Sequence, residues 1–419
     1  MNPFQETPKS VDSAFKNWSG IYSRPYNKHE VSPYTKTRVI LMNGTEFESV
    51  WFGHQTQRNC PNNDIRRDLA LIRRVEQQQQ KVIATLKPKD ETILEHTISY
   101  EQLAVDLTAE LAKREPDKNV KAALDFALLE DFDHLYRYSD LLEAELGVKS
   151  EQLVGHYAEI MPGRPTISEH RYPFDNVRYF IDCKAAAPIT KLNVAIITAA
   201  EQQTMNYYMN VAALYQNDIG RQLYQEIGLI EEQHVTQYGS LLDTKTTFLE
   251  HLLMHEYTEC YLYYSCYEDE TDLYIKGIWE EHFHQEVAHL HKAAEMLKKY
   301  EKKEWQQVIP DGNFPQLLTL HENKAYVRDI LANTVQFTSK KEEYVDVATL
   351  SKDDEFYQFQ NALNQPVEEV PTHKVIQSYM DSKGEDYRYQ DTDHPVPALR
   401  NRVKDNVSVG REANADTKE

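Results

Sequence analysis

The chain has 419 residues and a formal net charge of −21, from 46 Lys and Arg against 67 Asp and Glu. So acidic a chain repels phosphate backbones, and no basic aromatic patch offsets this, which argues against nucleic acid as a partner. Four scattered cysteines (Cys60, Cys183, Cys260 and Cys266) form no CxxC pair, which speaks against a zinc knuckle or disulfide framework and for a reducing, cytoplasmic setting. No run reaches eighteen apolar residues and the N-terminus carries no apolar leader, so neither a membrane span nor a signal peptide is expected.

Gly is scarce, at 13 of 419, and helix formers dominate, so the expected class is all-α. Residues 1–62 read as a polar arm with a small β-hairpin, because Asn43-Gly44 lies between two β-prone runs in 37–52. Residues 63–90 read as a connecting helix closed by Pro88. Hairpins of helices follow over 91–147, 188–242 and 243–304, the first two joined by a long Pro-containing connection at 148–187. A C-terminal helical extension is expected over 305–383, with helices near 319–337, 352–363 and 371–382. The stretch 384–419 has little apolar content and reads as an extended or disordered tail.

One pattern recurs in the three hairpins: a Glu, then thirty residues later a carboxylate followed three on by a His. The copies are Glu101 with Asp131 and His134, Glu201 with Glu231 and His234, and Glu256 with Glu286 and His289. Turn chemistry falls at each midpoint, in REPDK, QNDIG and EDETD, so the paired positions stand level on antiparallel helices. A carboxylate and an imidazole three apart share a helix face and can converge on one ion. Carboxylates inside apolar stripes are costly unless paired or metal-bound, and no Lys or Arg occupies either stripe near these levels.

Hairpins one and two together offer Glu101, Asp131, His134, Glu201, Glu231 and His234. Four carboxylates balance two divalent cations, and the mixed oxygen and imidazole donors suit iron or manganese. The forty-residue connection reaches beyond ~35–40 Å, whereas Asp243–Thr246 covers at most ~14 Å. Hairpins two and three are therefore not expected to share a site. Glu256, Glu286 and His289 form either a solvated acidic and His-rich face, or half of a second site completed by another copy across a dimer two-fold.

These residues resemble the ferritin-like di-iron and di-manganese carboxylate superfamily, and rubrerythrins most nearly, over 91–242. The resemblance implies a four-helix bundle, extended here by the third hairpin, with Glu101 and Glu201 as single-helix ligands. It implies Asp131 and Glu231 as bridging, catalytic carboxylates, and His134 and His234 as one nitrogen ligand per metal. Glu130 is an alternate to the shorter Asp131. Thr198 stands where rubrerythrins usually carry another acidic residue, and no rubredoxin-like cysteine module is present, so the electron donor would be another protein. The implied activity is a di-metal oxidoreductase reacting with peroxide or dioxygen, of rubrerythrin-like peroxidase type, with two iron ions, or two manganese, or one of each, as cofactor. Manganese-catalase-like peroxide dismutation, ferroxidase with iron storage, and a non-catalytic helical scaffold are the alternatives; a homodimer or higher homo-oligomer is expected.

Overall fold

A computed structural model describes residues 1–384 and 394–396, the side chains of Thr166 and Ile167 excepted. Most of the tail expected over 384–419 lies outside the described residues. The helices are α1 (Pro33–Asn59), α2 (Asn63–Ala84), α3 (Ile93–Arg114), α4 (Lys118–Leu146), α5 (Glu151–Val154), α6 (Thr166–Glu169), α7 (Pro188–Leu214), α8 (Asp218–Ser240), α9 (Phe248–Asp269), α10 (Leu273–Met296), α11 (Lys324–Thr334), α12 (Glu355–Leu363) and α13 (Pro371–Lys383). No helix among the described residues is long and apolar enough to cross a membrane.

The helix pairs α3–α4, α7–α8 and α9–α10 reverse where the anticipated turns cap the second helix of each. Asp117, Asn217 and Asp272 each accept two backbone N–H bonds from the first turn of α4, α8 and α10. Thr92–Glu95 and Thr247–Glu250 close reciprocal capping boxes on α3 and α9. Gly147 ends α4 in the left-handed conformation, at φ 65°.

The β-hairpin expected within 37–52 does not form; those residues lie inside α1. Ser32 accepts the Tyr34 N–H, Pro33 presets the first turn, and Asn43-Gly44 becomes mid-helix. The buried stripe of α1 runs through Thr35, Arg38, Met42, Glu46, Ser49, Gly53 and Thr56, at helical spacing but largely polar. An apolar-periodicity reading cannot see such a stripe. The sheet that does form is elsewhere: β1 (Phe337–Lys340) pairs antiparallel with β2 (Glu343–Asp346).

By internal contacts the chain divides into two compact units. The first comprises Met1–Glu91, Phe180–Gln203 and Leu242–Leu320; the second comprises Thr92–Tyr179, Thr204–Leu241 and the chain from His321. In the first, α1 packs on α2, α9 on α10, and the two hairpins meet through α1 with α9 and α2 with α10. Its N-terminal arm is anchored: Phe4 stacks on Trp305 at 3.8 Å, and Val11 joins Ile72, Val75 and Ala288 in an apolar cluster. Arg38 ties α1 to the α9–α10 turn, 2.7 Å from Asp269 and 2.9 Å from Glu270.

In the second unit, α3 packs on α4, α4 on α8, and α13 lies against both α4 and α8. Val105, Ala109, Leu128, Leu129, Phe132 and Met161 form one core with Val327, Leu331 and Val335 of the C-terminal extension. The connection at 148–187 is more than a spacer. Gly163 donates its N–H to Asp133 Oδ1 at 2.6 Å, and a Cβ there would stand 2.8 Å from the Leu129 carbonyl oxygen. Only glycine lets this segment come so close to α4.

Candidate metal centre

In the second unit, α3, α4 and α8 turn Glu101, Asp131, His134, Glu231 and His234 inward, and all five are buried. Glu231 lies between the two imidazoles, its Oε1 3.0 Å from His134 Nδ1 and its Oε2 3.1 Å from His234 Nδ1. Asp131 Oδ1 is 3.3 Å from His234 Nδ1. Asp131, Glu231 and His234 each offer a ligand atom, all within 4.8 Å of one another, and so do Glu101, His134 and Glu231. Glu101 accepts a short hydrogen bond from the Tyr208 hydroxyl. Glu201 is buried as expected, on α7, in the part of that helix belonging to the first unit.

Glu130 is held from two sides, by the Arg171 guanidinium and by His234 Nε2 at 2.7 Å. Burial alone would raise its carboxyl, but Arg171 and His234 outweigh that and hold it down at about 2. Burial opposes charge on His134 too, yet its hydrogen bond and attraction to Glu231, with Glu101 and Glu169 nearby, lift it to about 10. Glu231 is correspondingly depressed, burial being overcome by the two imidazoles.

Several members of this environment are absent from the repeat. Glu169 and Arg171 come from α6 and the segment after it, and Arg137 of α4 pairs with Asp133. Burial raises Glu169 to about 7 against the pull of Arg137 and His134. The stripes themselves carry no Lys or Arg, but Arg137, Arg164 and Arg171 are buried close by and supply the basic groups. Two of them arrive from the Pro-containing connection, which helical periodicity does not describe. His134 Nε2 and both oxygens of Glu169 make no hydrogen bond.

In the first unit the structure brings Glu256, Glu286 and His289 together, as expected, but their neighbours are in the same chain. His289 Nδ1 is 3.0 Å from Glu286, 3.7 Å from Glu76 and 3.8 Å from Glu256. Gln79 donates to Glu286, and the Tyr263 hydroxyl donates to Glu46. The face thought to be solvated, or completed by a second copy, is covered by α1 and α2 instead. Burial, then repulsion among the carboxylates, raises Glu46, Glu256 and Glu259 well above the usual range.

Glu46 and Glu76 went unread, yet a signal existed. They stand thirty residues apart, and Gln79 occupies the position that His fills in the other copies. Moreover Glu46, Glu76 and Gln79 precede Glu101, Asp131 and His134 by 55 residues each, and the same interval separates Glu201, Tyr208, Glu231 and His234 from Glu256, Tyr263, Glu286 and His289. A search that required His would skip the first copy. Comparisons of the chain with protein-family models, with curated proteins and with solved structures return no match.

Proposed function

We propose that the chain is a di-metal carboxylate oxidoreductase of ferritin-like, rubrerythrin-like type, acting on peroxide or dioxygen. The observation that carries this reading is Glu231: one carboxylate, fully buried, reaching an imidazole with each oxygen. The donor set fits a metal pair, since His134 Nε2 and the Glu169 oxygens are buried with no hydrogen bond, and their lone pairs are costly to leave so. Glu101, Asp131, His134, Glu231 and His234 are the ligands in this reading, and iron or manganese the ions.

When bound, such a pair would exchange electrons with peroxide or dioxygen. The chain's residues set the conditions. Glu231 and Asp131 would hold the ions, their negative charge offsetting that of the cations. Glu130, fixed by Arg171, orients His234 through Nε2, the supporting arrangement that sets the tautomer of a ligating imidazole. Tyr208 steadies Glu101, and Tyr138 and Tyr224 wall off water beside it. Electrons for a peroxidase would come from a separate donor protein.

The test is metal binding followed by turnover. Protein loaded anaerobically with ferrous iron should retain it through gel filtration and give a transient visible band on exposure to air. It should then consume peroxide far faster than Glu231→Gln. Consumption with no reductant marks dismutation; consumption only with one marks a peroxidase. Peroxide consumption equal in wild type and Glu231→Gln, with no iron retained, refutes the proposal.

A further inference from the structure

The first unit holds a polar core that the proposed oxidoreductase centre does not use. Glu46 of α1, Glu76 of α2, Glu256 and Glu259 of α9, and Glu286 and His289 of α10 are all buried, none more than 1% exposed. Glu76, Glu256, Glu286 and His289 offer ligand atoms within 4.8 Å of one another. In this core five carboxylates face His289, with one further imidazole, His255, at the edge, its Nε2 3.6 Å from Glu259. The second unit meets its buried acids with Arg137, Arg164 and Arg171. Here the closest comparable group, Arg73, spends its guanidinium on the Gly53 carbonyl and Gln57.

A separate observation points to a ligand. Both oxygens of Glu256, one each of Glu46 and Glu76, and Nε2 of His289 are buried without any hydrogen bond. Folded cores satisfy such atoms almost without exception, because each one left bare keeps its full desolvation penalty, larger still when charged. Residues that are not ligands are arranged as supports: Gln79 on Glu286 and Tyr263 on Glu46. Tyr263 thus repeats, 55 residues on, what Tyr208 does for Glu101.

We propose that α1, α2, α9 and α10 form a second, intramolecular metal site, binding a divalent cation through Glu76, Glu256, Glu286 and His289, with Glu46 and Glu259 supplying further oxygen donors. The donor set is almost wholly oxygen, and Gln79 in place of a second His removes a nitrogen. Such a set suits a hard cation, manganese(II) in preference to zinc or copper. The two units then carry sites of different hardness, the first richer in oxygen and the second richer in imidazole and guanidinium. This site stands independently of the oxidoreductase reading.

The full chain, stripped of metal and titrated with manganese(II), supplies the test. Metal retained after gel filtration is measured in wild type, in Glu256→Gln/Glu286→Gln, and in Glu101→Gln/Glu231→Gln. The expected result is that each double variant loses its own unit's manganese and keeps the other's. Manganese content of Glu256→Gln/Glu286→Gln equal to wild type overturns the proposal. Should that variant fail to fold, terbium(III) added to Glu101→Gln/Glu231→Gln decides the matter. Excited through Trp279 and Tyr263, whose rings lie 6.1 Å apart beside the site, bound terbium should emit, and manganese(II) should extinguish that emission. Absence of saturable emission overturns the proposal. Loss of metal only in the second unit would count against the oxidoreductase reading and leave this one standing.

Discussion

Replacing Glu231 with Gln tests the electrostatics of the second unit without changing its shape. In the metal-free protein His134 titrates at about 10 rather than 6.5, because Glu231 outweighs the cost of burial. The sign follows directly. A group whose folded-state value is raised contributes stability that is fully present below the unfolded value, and loses it as pH rises toward the folded one. The window is therefore pH 6.5 to 10, and a shift of this size corresponds to roughly 5 kcal/mol, at ~1.4 kcal/mol per unit. The depressed Glu231 reports the same interaction and is not added. At roughly 2–4 °C per kcal/mol, the wild-type midpoint should fall by roughly 10–20 °C across the window beyond what Glu231→Gln shows. The assay is thermal unfolding of metal-free protein by circular dichroism, and the difference between the two curves isolates the groups that Glu231 contacts, His134 and His234. Parallel curves for the two proteins would refute the reasoning, because the imidazole would then owe nothing to this carboxylate.

Three further outcomes follow from single contacts. Arg171→Met leaves Glu130 buried without its guanidinium, and should cost ~3–5 kcal/mol, read as a lowered denaturation midpoint, with weaker metal retention because His234 loses its support. Gly163→Ala drives a Cβ against the Leu129 carbonyl, backbone that cannot swing aside, and should destabilise by ~1–3 kcal/mol while Gly239→Ala, with open space around it, should not. Glu270 is held below the usual carboxylate range, burial being overcome by Arg38, so its contribution is present above its unfolded value near 4.3 and is lost as pH falls below that; Glu270→Gln should remove this acid-side loss from the stability profile.

Much of the architecture was legible because hairpins advertise themselves twice, by stripe and by turn. Asp117, Asn217 and Asp272 cap where REPDK, QNDIG and EDETD predict reversal, and the helices on either side follow. α1 was not legible, because Thr35, Arg38 and Glu46 bury polar atoms whose partners, Glu270 and Tyr263, are more than two hundred residues away. A local reading prefers Asn43-Gly44 as a turn; tertiary burial overrides it. Likewise the helices of the second unit that carry the candidate ligands were visible in spacing, while Glu169 and Arg171 were not. They sit in a segment with no period, and only the folded chain shows that it delivers charge to His134 and Glu130.

The discontinuity of the first unit bears on how a ribosome would release this protein. The α1–α2 hairpin emerges first, yet the hairpin that covers Glu46 and Glu76 is not synthesised until α10 ends at Met296. In the meantime α3, α4 and α8 are translated and can begin to pack. The chain is thus nested like brackets, with the inner pair of hairpins available to close before the outer pair. During that interval the earliest-made surface, acidic and unpartnered, must wait in solvent. A stripe of Thr, Arg, Glu and Ser keeps it hydrated and resists the aggregation that an equally long apolar face would invite. The polarity that hides α1 from a periodicity search is also what suits a first-made helix to a long delay.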